Sequence, residues 1–167
     1  LHNSQRLAFA IHKGMQNTIN IRSARLTDLP TLLAFEQGSV TAERLFDHTL
    51  KPDPISYYDV AAMIEDAEAE GAVAECDGAL IGSGYAKKQR SRHYVSPDYH
   101  AFIGFLYVKP EFRGRGVNKM VLDHLFEWAR RNDLPEVHLT VYPENEPAIR
   151  AYEKVGFDPY ILEMRLN

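Results

Sequence analysis

Residues 109–125, KPEFRGRGVNKMVLDHL, decide how the rest of the chain is interpreted. They follow a near-continuous apolar run at 101–108, AFIGFLYV, which is typical of a central strand buried on both faces. Within the stretch, apolar residues begin to recur at helical spacing from Val117 onward. Gly114 and Gly116 therefore lie in a turn between a buried strand and a helix, where missing side chains let a ligand approach the backbone.

This turn has the chemistry of an anion site. The first turn of a helix leaves about four N–H groups without internal partners, and the helix dipole adds roughly half a positive charge. Arg113, Arg115 and Lys119 add further charge, although Arg115 and Lys119 are equally suited to face water. We predict that the turn holds a diphosphate; the alternative is an ordinary strand-to-helix loop that uses Gly only for its geometry.

Two well-known phosphate patterns are absent from the chain. G-x-x-x-x-G-K-[ST] does not occur, and G-x-G-x-x-G would require Gly where Lys119 stands. The pattern that matches is R-x-x-G-x-G/A, running from Arg113 to Asn118, with Asn118 in the place of the last Gly or Ala. In this motif the sequence resembles the GCN5-related N-acetyltransferase (GNAT) superfamily, whose acetyl-CoA motif looks like GFLYVKPEFRGRGVN. Asn tolerates unusual backbone angles and can cap a helix, so we expect the loop to keep its form.

A second motif, ENEPAIRAYEKVGF at 144–157, matches N-x-x-A-x-x-x-Y-x-x-x-G-F and strengthens the resemblance. At about 100° per residue, Asn145, Ala148 and Tyr152 share one helical face, and the short Ala leaves a groove for a thin pantetheine arm. The alternative is the core stripe of an amphipathic helix, with Asn145 near its cap. Both motifs occur in order, separated by a strand, and the resemblance covers roughly residues 18–166.

The hydrophobic patterns predict an α/β (α+β) domain with the order β-α-α-β-β-β-α-β-α-β. The resemblance implies the GNAT fold, a mixed central sheet of about six to seven strands with helices on both faces. The predicted elements are strands at 18–25, on both sides of the Asp77-Gly78 hairpin turn, at 101–108, 136–142 and 159–166, and helices at 29–37, 56–70 (closed by Gly71), 117–131 and 147–155.

Composition limits the function classes. The 45% hydrophobic and 25% charged shares are those of a globular protein, which we predict to be a single domain at 17–167. We interpret residues 1–16 as an N-terminal extension or an expression remnant. The formal net charge of −4 argues against a nucleic-acid partner and suits a cationic or neutral small one. We expect no membrane span, no metal site among the seven histidines, and a reducing cytoplasm for the single Cys76.

The resemblance implies an acetyl-CoA-dependent N-acetyltransferase that acts on the primary amine of a small molecule. The amine would attack directly in a ternary complex, between two strands that part to admit the thioester, and Tyr152 would protonate the departing thiolate as general acid. Backbone groups of Leu106 and Val108 would contact the acetyl carbonyl and the pantetheine arm. The implied cofactor-binding residues are Leu106, Tyr107, Val108, Arg113, Gly114, Arg115, Gly116, Val117, Asn118, Lys119, Asn145, Ala148 and Tyr152.

The acceptor site is expected under the charged stretch at 38–58, whose acidic and aromatic residues suit a cation. Arg44 and Lys51 in the same stretch leave its preference open, and a solvated acidic face is the alternative. The residues expected to bind the acceptor are Glu36, Glu43, Asp47, Tyr57 and Tyr58. The general base stays open between Tyr107, His100, Glu36 and Glu75.

Two other functions compete with this interpretation. The same chemistry can serve a protein or peptide amine, which needs an open groove where a small amine suits a capped pocket. A non-catalytic acyl-CoA-binding regulatory module belongs to a different class, and the presence of Tyr152 argues against it. The resemblance also points to a homodimer.

Overall fold

A computed structural model describes residues 18–166, so the predicted extension at 1–16 lies outside the described residues. In that range the strands are β1 Ile19–Ser23, β2 Ala69–Cys76, β3 Ala79–Arg90, β4 Tyr99–Val108 and β5 Val137–His138. The helices are α1 Leu29–Glu43, α2 Val60–Glu65, α3 Val117–Arg131 and α4 Glu146–Glu153, with 3-10 turns at Leu26–Asp28 and Pro110–Phe112. No helix in the described part of the chain combines the length and apolarity needed to cross a bilayer.

The sheet is mixed, with the strand order β1-β2-β3-β4-β5. The first four strands pair antiparallel, and β5 runs parallel to β4. Cys76 pairs with Ala79 across the Asp77-Gly78 turn, where both turn residues have positive φ, 51° and 76°. The hairpin prediction is therefore confirmed, since this turn type needs positive φ at both central positions.

Helices cover both faces of the sheet, as predicted. Side chains alternate along β2, so that Ala72 and Ala74 face α3 while Val73 faces α1 and α2. On the α3 side the core contains fully buried Val121 and Leu125, each contributing about 1.5–3 kcal/mol by burial. The buried residues on the opposite side are Leu32, Phe35, Val60, Val73, Leu80, Tyr85 and Phe105.

The sheet has five strands in the described residues, and the prediction of six to seven was wrong. Residues 159–166 form no strand, and the side chains of Ile161 and Leu162 are exposed. The strand predicted at 136–142 is only Val137–His138. Because β5 ends so early, it offers the last segment too short an edge for pairing.

Two helix boundaries also differ from the sequence prediction. The α1 helix does not stop before Gly38 but continues to Glu43, and at Gly38 it comes so near Tyr107 that a Cβ would lie 2.6 Å from Cε2 of that ring. This packing overrides the helix penalty of Gly, about 1 kcal/mol. The helix predicted at 56–70 shrinks to Val60–Glu65, and Gly71 lies inside β2 rather than capping a helix.

Candidate active site

The central strand β4 contains a bulge. Ser83 of β3 pairs with Tyr107, whereas Tyr85 pairs with Gly104, so β4 has one extra residue between these pairs. Phe105 lies in the bulge with φ 53°. A bulky residue at positive φ is a backbone outlier, so surrounding contacts must hold it there.

Tyr58 supplies several of those contacts. The N–H of Phe105 donates to the Tyr58 hydroxyl at 3.3 Å, and the two ring centroids are 5.5 Å apart. The hydroxyl comes this close because Gly104 has no side chain: a Cβ there would lie 3.0 Å from it. On the other side, Ser83 Oγ donates to the carbonyl of Phe105 at 3.3 Å. Tyr58, which we predicted to bind the acceptor, therefore contacts the bulge and stabilises its backbone.

The strands β4 and β5 part directly beside this bulge. Their pairing is limited to Ala101 with Val137 and Phe102 with His138. Residues 139–142 carry no strand assignment, so the outer edge of 103–108 has no strand partner among the described residues. We call this opening the strand gap. Leu106, Tyr107 and Val108 lie along it, where the resemblance places the thioester and pantetheine.

The turn that follows β4 leaves its backbone bare. Gly114 and Gly116 have φ 73° and 78°, and a Cβ at either position would meet no atom within 4 Å. Gly116 is the N-cap of α3 and supplies no side-chain cap, and Val117 behind it is buried. The first N–H groups of α3 therefore point into open space without a side-chain acceptor, which is the geometry of an anion site.

The cations of the turn are largely engaged. Arg113 Nε donates to the carbonyl of Val108 at 3.1 Å, and the Arg115 guanidinium lies 5.2 Å from the centre of the Phe112 ring. Lys119 Nζ bonds Asp123 at 2.6 Å, one helical turn farther along α3. A diphosphate in this turn would therefore meet backbone donors first, with the side chains of Arg113 and Lys119 already partnered.

The two polar residues of the second predicted motif, Asn145 and Tyr152, have different surroundings. Asn145 is the N-cap of α4, and its Oδ1 accepts the N–H of Ala148 at 3.3 Å, so the capping alternative describes Asn145 correctly. Tyr152 packs against the core beneath α3, with its ring 5.9 Å from that of Phe157. Burial raises the pKa of Tyr152 to about 12, and the charge of Glu43 adds to the rise. The phenol is thus protonated at neutral pH.

The charge of Glu43 acts on Tyr152 as well as on Tyr57 of the predicted acceptor region. Glu43 is the last residue of α1, and burial raises the pKa of its carboxyl. The nearby Glu43 charge adds to the effect of burial in raising the pKa of Tyr57 and Tyr142 as well as that of Tyr152.

Tyr142 was not anticipated from the sequence. Its hydroxyl donates to Asp47 at 3.3 Å, and its ring stacks on Phe46 with a centroid distance of 6.1 Å. Asp47 therefore supports Tyr142 instead of standing free for an acceptor. Nothing in the local pattern around VYPENEP marks this tyrosine, because its neighbours come from a segment 95 residues earlier.

Residues 50–58 are held by hydrogen bonds to side chains at the C-terminal end of α1. Glu36, predicted to bind the acceptor, is buried and its Oε1 accepts the N–H groups of Tyr57 and Tyr58 at 2.7 and 2.9 Å. Gln37 Nε2 donates to the carbonyl of Ile55 at 2.8 Å. Arg44 donates to the carbonyls of Leu50 and Lys51 and to the carboxylate of Asp53. Glu36 thus acts as an anchor of the covering segment.

The remaining candidates for the general base, Glu75, His100 and Tyr107, are each engaged in other contacts. Glu75 is on β2, ion-paired with Arg22 at 3.0 Å. His100 is at the start of β4, five residues before the bulge, where its Nδ1 bonds Ser91 and its ring stacks on His138. The Tyr107 ring packs 4.7 Å from that of Phe35. Within the described residues, no three His, Cys, Asp or Glu side chains group as metal ligands.

Comparison with known proteins gives a consistent picture. A family model described as the acetyltransferase (GNAT) family matches residues 38–157. Mycothiol acetyltransferase of Thermomonospora curvata is 32% identical over 133 residues, which are 77% of this chain. The chain spans only 37% of the length of that relative.

Solved structures share the fold. A predicted acetyltransferase of Clostridium acetobutylicum, crystallised with acetyl-CoA, has a TM-score of 0.69 at 18% identity, covering 90% of this chain and 96% of its own. The aminoglycoside N-acetyltransferase AAC(6')-Iy, in complex with CoA, has a TM-score of 0.71 at 19% identity, with coverages of 90% and 94%. At these identities the likeness concerns the fold alone.

Proposed function

The chain belongs to the acetyltransferase (GNAT) family, and from this premise we propose that it transfers the acetyl group of acetyl-CoA to the primary amine of a small molecule. The observation that carries the proposal is the continuity of the strand gap with the uncapped, glycine-lined start of α3. Acetyl-CoA carries its thioester and its diphosphate at the two ends of a thin arm. Binding it therefore needs a gap for the thioester that leads directly to an anion site for the diphosphate.

The residues present fit acetyl-CoA. Gly114 and Gly116 leave space where side chains would exclude a diphosphate, and the N–H groups of Val117, Asn118 and Lys119 begin α3 there. Asn118 is in the first turn of the helix, where its N–H remains available whatever its side chain does. When bound, acetyl-CoA supplies an activated acyl thioester.

The strand gap and Tyr152 would divide the chemistry between them. Backbone donors at Leu106 and Val108 would stabilise the oxyanion that forms when the amine attacks the carbonyl. Tyr152 would then donate its phenolic proton to the thiolate. With its pKa at about 12, the phenol is a weaker acid than a thiol of pKa about 8.5 in water, so the transfer requires a water-poor site that also raises the conjugate pKa of the thiolate.

A small amine fits the covered site better than a peptide does. Residues 50–58 are held to the end of α1 by Glu36, Gln37 and Arg44, and a segment fixed in this way favours a bounded pocket over the open groove that a peptide needs. The names of two of the matches, mycothiol acetyltransferase and aminoglycoside N-acetyltransferase, also point to small acceptors. A protein or peptide acceptor is the second candidate.

The first experiment is calorimetric titration with acetyl-CoA of the wild type and of Tyr152→Phe, followed by thiol release with a panel of amines. We expect both proteins to bind in the micromolar range and only the wild type to release thiol with an amine. Absence of binding in the wild type would overturn the acetyltransferase proposal. Binding without turnover on any amine or peptide would favour the regulatory acyl-CoA-binding module.

The remaining expectations follow from the same resemblance. We propose that residues 17–167 form one acetyltransferase domain, acting as a homodimer in a reducing cytoplasm. Exposed apolar side chains in 159–166, including Ile161 and Leu162, supply a surface that a second copy can cover. Gel filtration with light scattering measures the mass directly, and a mass of one chain at micromolar concentration would contradict the dimer.

A further inference from the structure

The backbone of Phe105 is held by side chains from two different elements. Its N–H donates to the Tyr58 hydroxyl at 3.3 Å, and its carbonyl accepts a hydrogen bond from Ser83 Oγ at 3.3 Å. Ser83 belongs to β3 and is buried, whereas Tyr58 comes from the segment before α2. In the register of β3 and β4, both within the described residues, Phe105 has no opposite residue. The two hydroxyls thus bond both backbone groups of the residue in the bulge.

Tyr58 is itself fixed at both of its backbone groups. Its N–H donates to Oε1 of Glu36 at 2.9 Å, and its carbonyl accepts from Ser56 Oγ at 3.0 Å. Glu36 lies in α1 and is only 1% exposed, so this anchor is part of the core. Gly104 leaves room for the Tyr58 hydroxyl, since a Cβ there would lie 3.0 Å from it. The hydroxyl therefore has a set position, to which the Phe105 backbone conforms.

The Phe105 carbonyl determines where the next N–H points. The peptide bond between Phe105 and Leu106 is planar and trans, so its C=O and N–H point in opposite directions. Ser83 Oγ holds the carbonyl on the β3 side. The Leu106 N–H is therefore directed to the other edge of β4, which is the strand gap.

The end of β4 agrees with this direction. The N–H of Lys109 donates to the carbonyl of Ile81 on β3 at 2.9 Å. Because the N–H groups of successive residues in a strand point to opposite edges, the Val108 N–H points to the strand gap. The same alternation gives that direction to Leu106, two residues earlier.

We propose that Tyr58 and Ser83 are positioning residues for acetyl transfer, which hold the Leu106 N–H against the acyl carbonyl of acetyl-CoA. The inference rests on the proposed function and adds to it, because it gives Tyr58 a role in activating the thioester rather than in binding the acceptor. Both hydroxyls act through the Phe105 backbone and not by touching the acyl group. A donor that is fixed before the reaction stabilises the developing oxyanion without reorganisation.

The backbone of Phe105 is strained, so its orientation depends on these bonds. A bulky residue with φ 53° is an outlier that persists only where its surroundings hold it. Without either hydroxyl, the peptide between Phe105 and Leu106 should rotate toward an ordinary strand conformation. Its N–H would then leave the acyl oxygen.

The test uses Tyr58→Phe and Ser83→Ala, each of which removes one hydroxyl and keeps the rest of the side chain. Tyr85→Phe is the matched control, because Tyr85 is a buried tyrosine of the same core cluster. Isotope-edited infrared spectroscopy of bound acetyl-CoA, labelled with carbon-13 at the carbonyl, measures the stretching frequency of that carbonyl. The frequency rises when the oxygen loses a hydrogen bond. Calorimetry with acetyl-CoA, thermal melting, and thiol release with putrescine, phenethylamine and glucosamine are run on the same proteins.

We expect the carbonyl frequency to rise in Tyr58→Phe and Ser83→Ala and to keep its wild-type value in Tyr85→Phe. In the first two variants kcat should fall about 10-fold to 100-fold, while acetyl-CoA affinity stays within about threefold. The double variant should lose little more than either single variant, because both hydroxyls hold the same residue. A merely structural role would lower the melting temperature and leave the carbonyl frequency unchanged.

Two results would overturn the inference. One is a carbonyl frequency equal to that of the wild type in both variants, which leaves the proposed function standing. The other is an equal rise in Tyr85→Phe, which would show that any hydroxyl lost from this core loosens the site. If Tyr58→Phe does not fold, Ser83→Ala decides alone, and if the wild type uses none of the amines, the frequency decides. A wild type that fails to bind acetyl-CoA refutes the proposed function itself, and this inference with it.

Discussion

The β1–β3 half of the sheet and the active-site end of β4 follow opposite rules. In the first, a tight Asp77-Gly78 hairpin joins long paired strands, and charges such as Arg22 and Asp28 are matched within hydrogen-bond distance. At the second, β4 bulges at Phe105, and within residues 18–166 its outer edge loses its strand partner and the partly buried Glu43 has no ion-pair partner. The contrast teaches that this fold keeps its stabilising interactions and its chemistry in different places.

The largest expected effect lies at the active-site end. Tyr152→Phe removes the proposed proton donor and should lower kcat by about 100-fold to 10,000-fold, with little change in acetyl-CoA affinity or melting temperature. The measurement is steady-state thiol release beside calorimetry. Tyr160→Phe, a change in an exposed tyrosine of the terminal segment, is the matched control and should behave as the wild type. Equal kcat values for both variants would remove Tyr152 from the mechanism.

Alanine substitutions at two glycines test the two regions separately. Alanine at Gly84 would meet Val121 Cγ1 at 2.5 Å, and alanine at Gly38 would meet the Tyr107 ring at 2.6 Å. Each change should cost about 1–3 kcal/mol of unfolding free energy by overpacking, measured by urea denaturation. Because Tyr107 follows the bulge, Gly38→Ala should also lower kcat/KM, whereas Gly84→Ala should leave it near the wild-type value. If both variants lose activity in proportion to their loss of stability, the separation between the two regions is contradicted.

The ion pairs of the β1–β3 half should affect stability alone. Arg22 holds Asp28 through two bonds of 2.8 and 3.0 Å, which lowers the pKa of that carboxyl from its ordinary 3.8. Its stabilisation is therefore complete above that ordinary pKa and is lost as pH falls through the lower folded-state value. Asp28→Asn should cost about 1–2 kcal/mol at neutral pH and flatten the acid limb of a stability–pH curve. Acetyl transfer should not change, and a loss of activity at full stability would contradict the separation.

The smallest expected effect is a gain in stability, which should follow replacement of Glu43 by glutamine. Glu43 has a raised pKa, so the stability linked to its protonated form is present below the ordinary value of 4.5 and is lost as pH rises through the folded-state pKa. Glu43→Gln removes that loss, and relief at the helix end suggests a gain of about 0.3–1 kcal/mol at neutral pH. Thermal melting against pH measures it. A melting temperature below that of the wild type at every pH would show that the carboxylate supports the fold.

The elements that depend on local pattern were predictable from the sequence. The hairpin at Asp77-Gly78, the helix from Val117 and the bare turn at Gly114 each carry their signal within a few residues. The continuation of α1 through Gly38 was not predictable, because it depends on a ring that arrives from β4.

The residues of the candidate site also differ in whether a local pattern in the sequence marks them. The positions of Gly116 and Tyr152 came from short motifs, whereas Tyr142 was missed because its contact with Asp47 joins segments 95 residues apart. The structural contacts of Glu36 were missed for a related reason: in the sequence an acidic residue gives no sign that it will accept backbone N–H groups from a distant loop.

The bare turn at Gly114 and Gly116 has a consequence for the evolution of the chain. Its donors are main-chain groups, which every residue except proline provides, so mutation at Arg115 or Asn118 leaves the donors in place. The surface around the turn can therefore change in charge and shape while these main-chain donors remain. A lineage can change its solubility or its neighbours at this surface without losing the backbone groups proposed to hold its acyl donor.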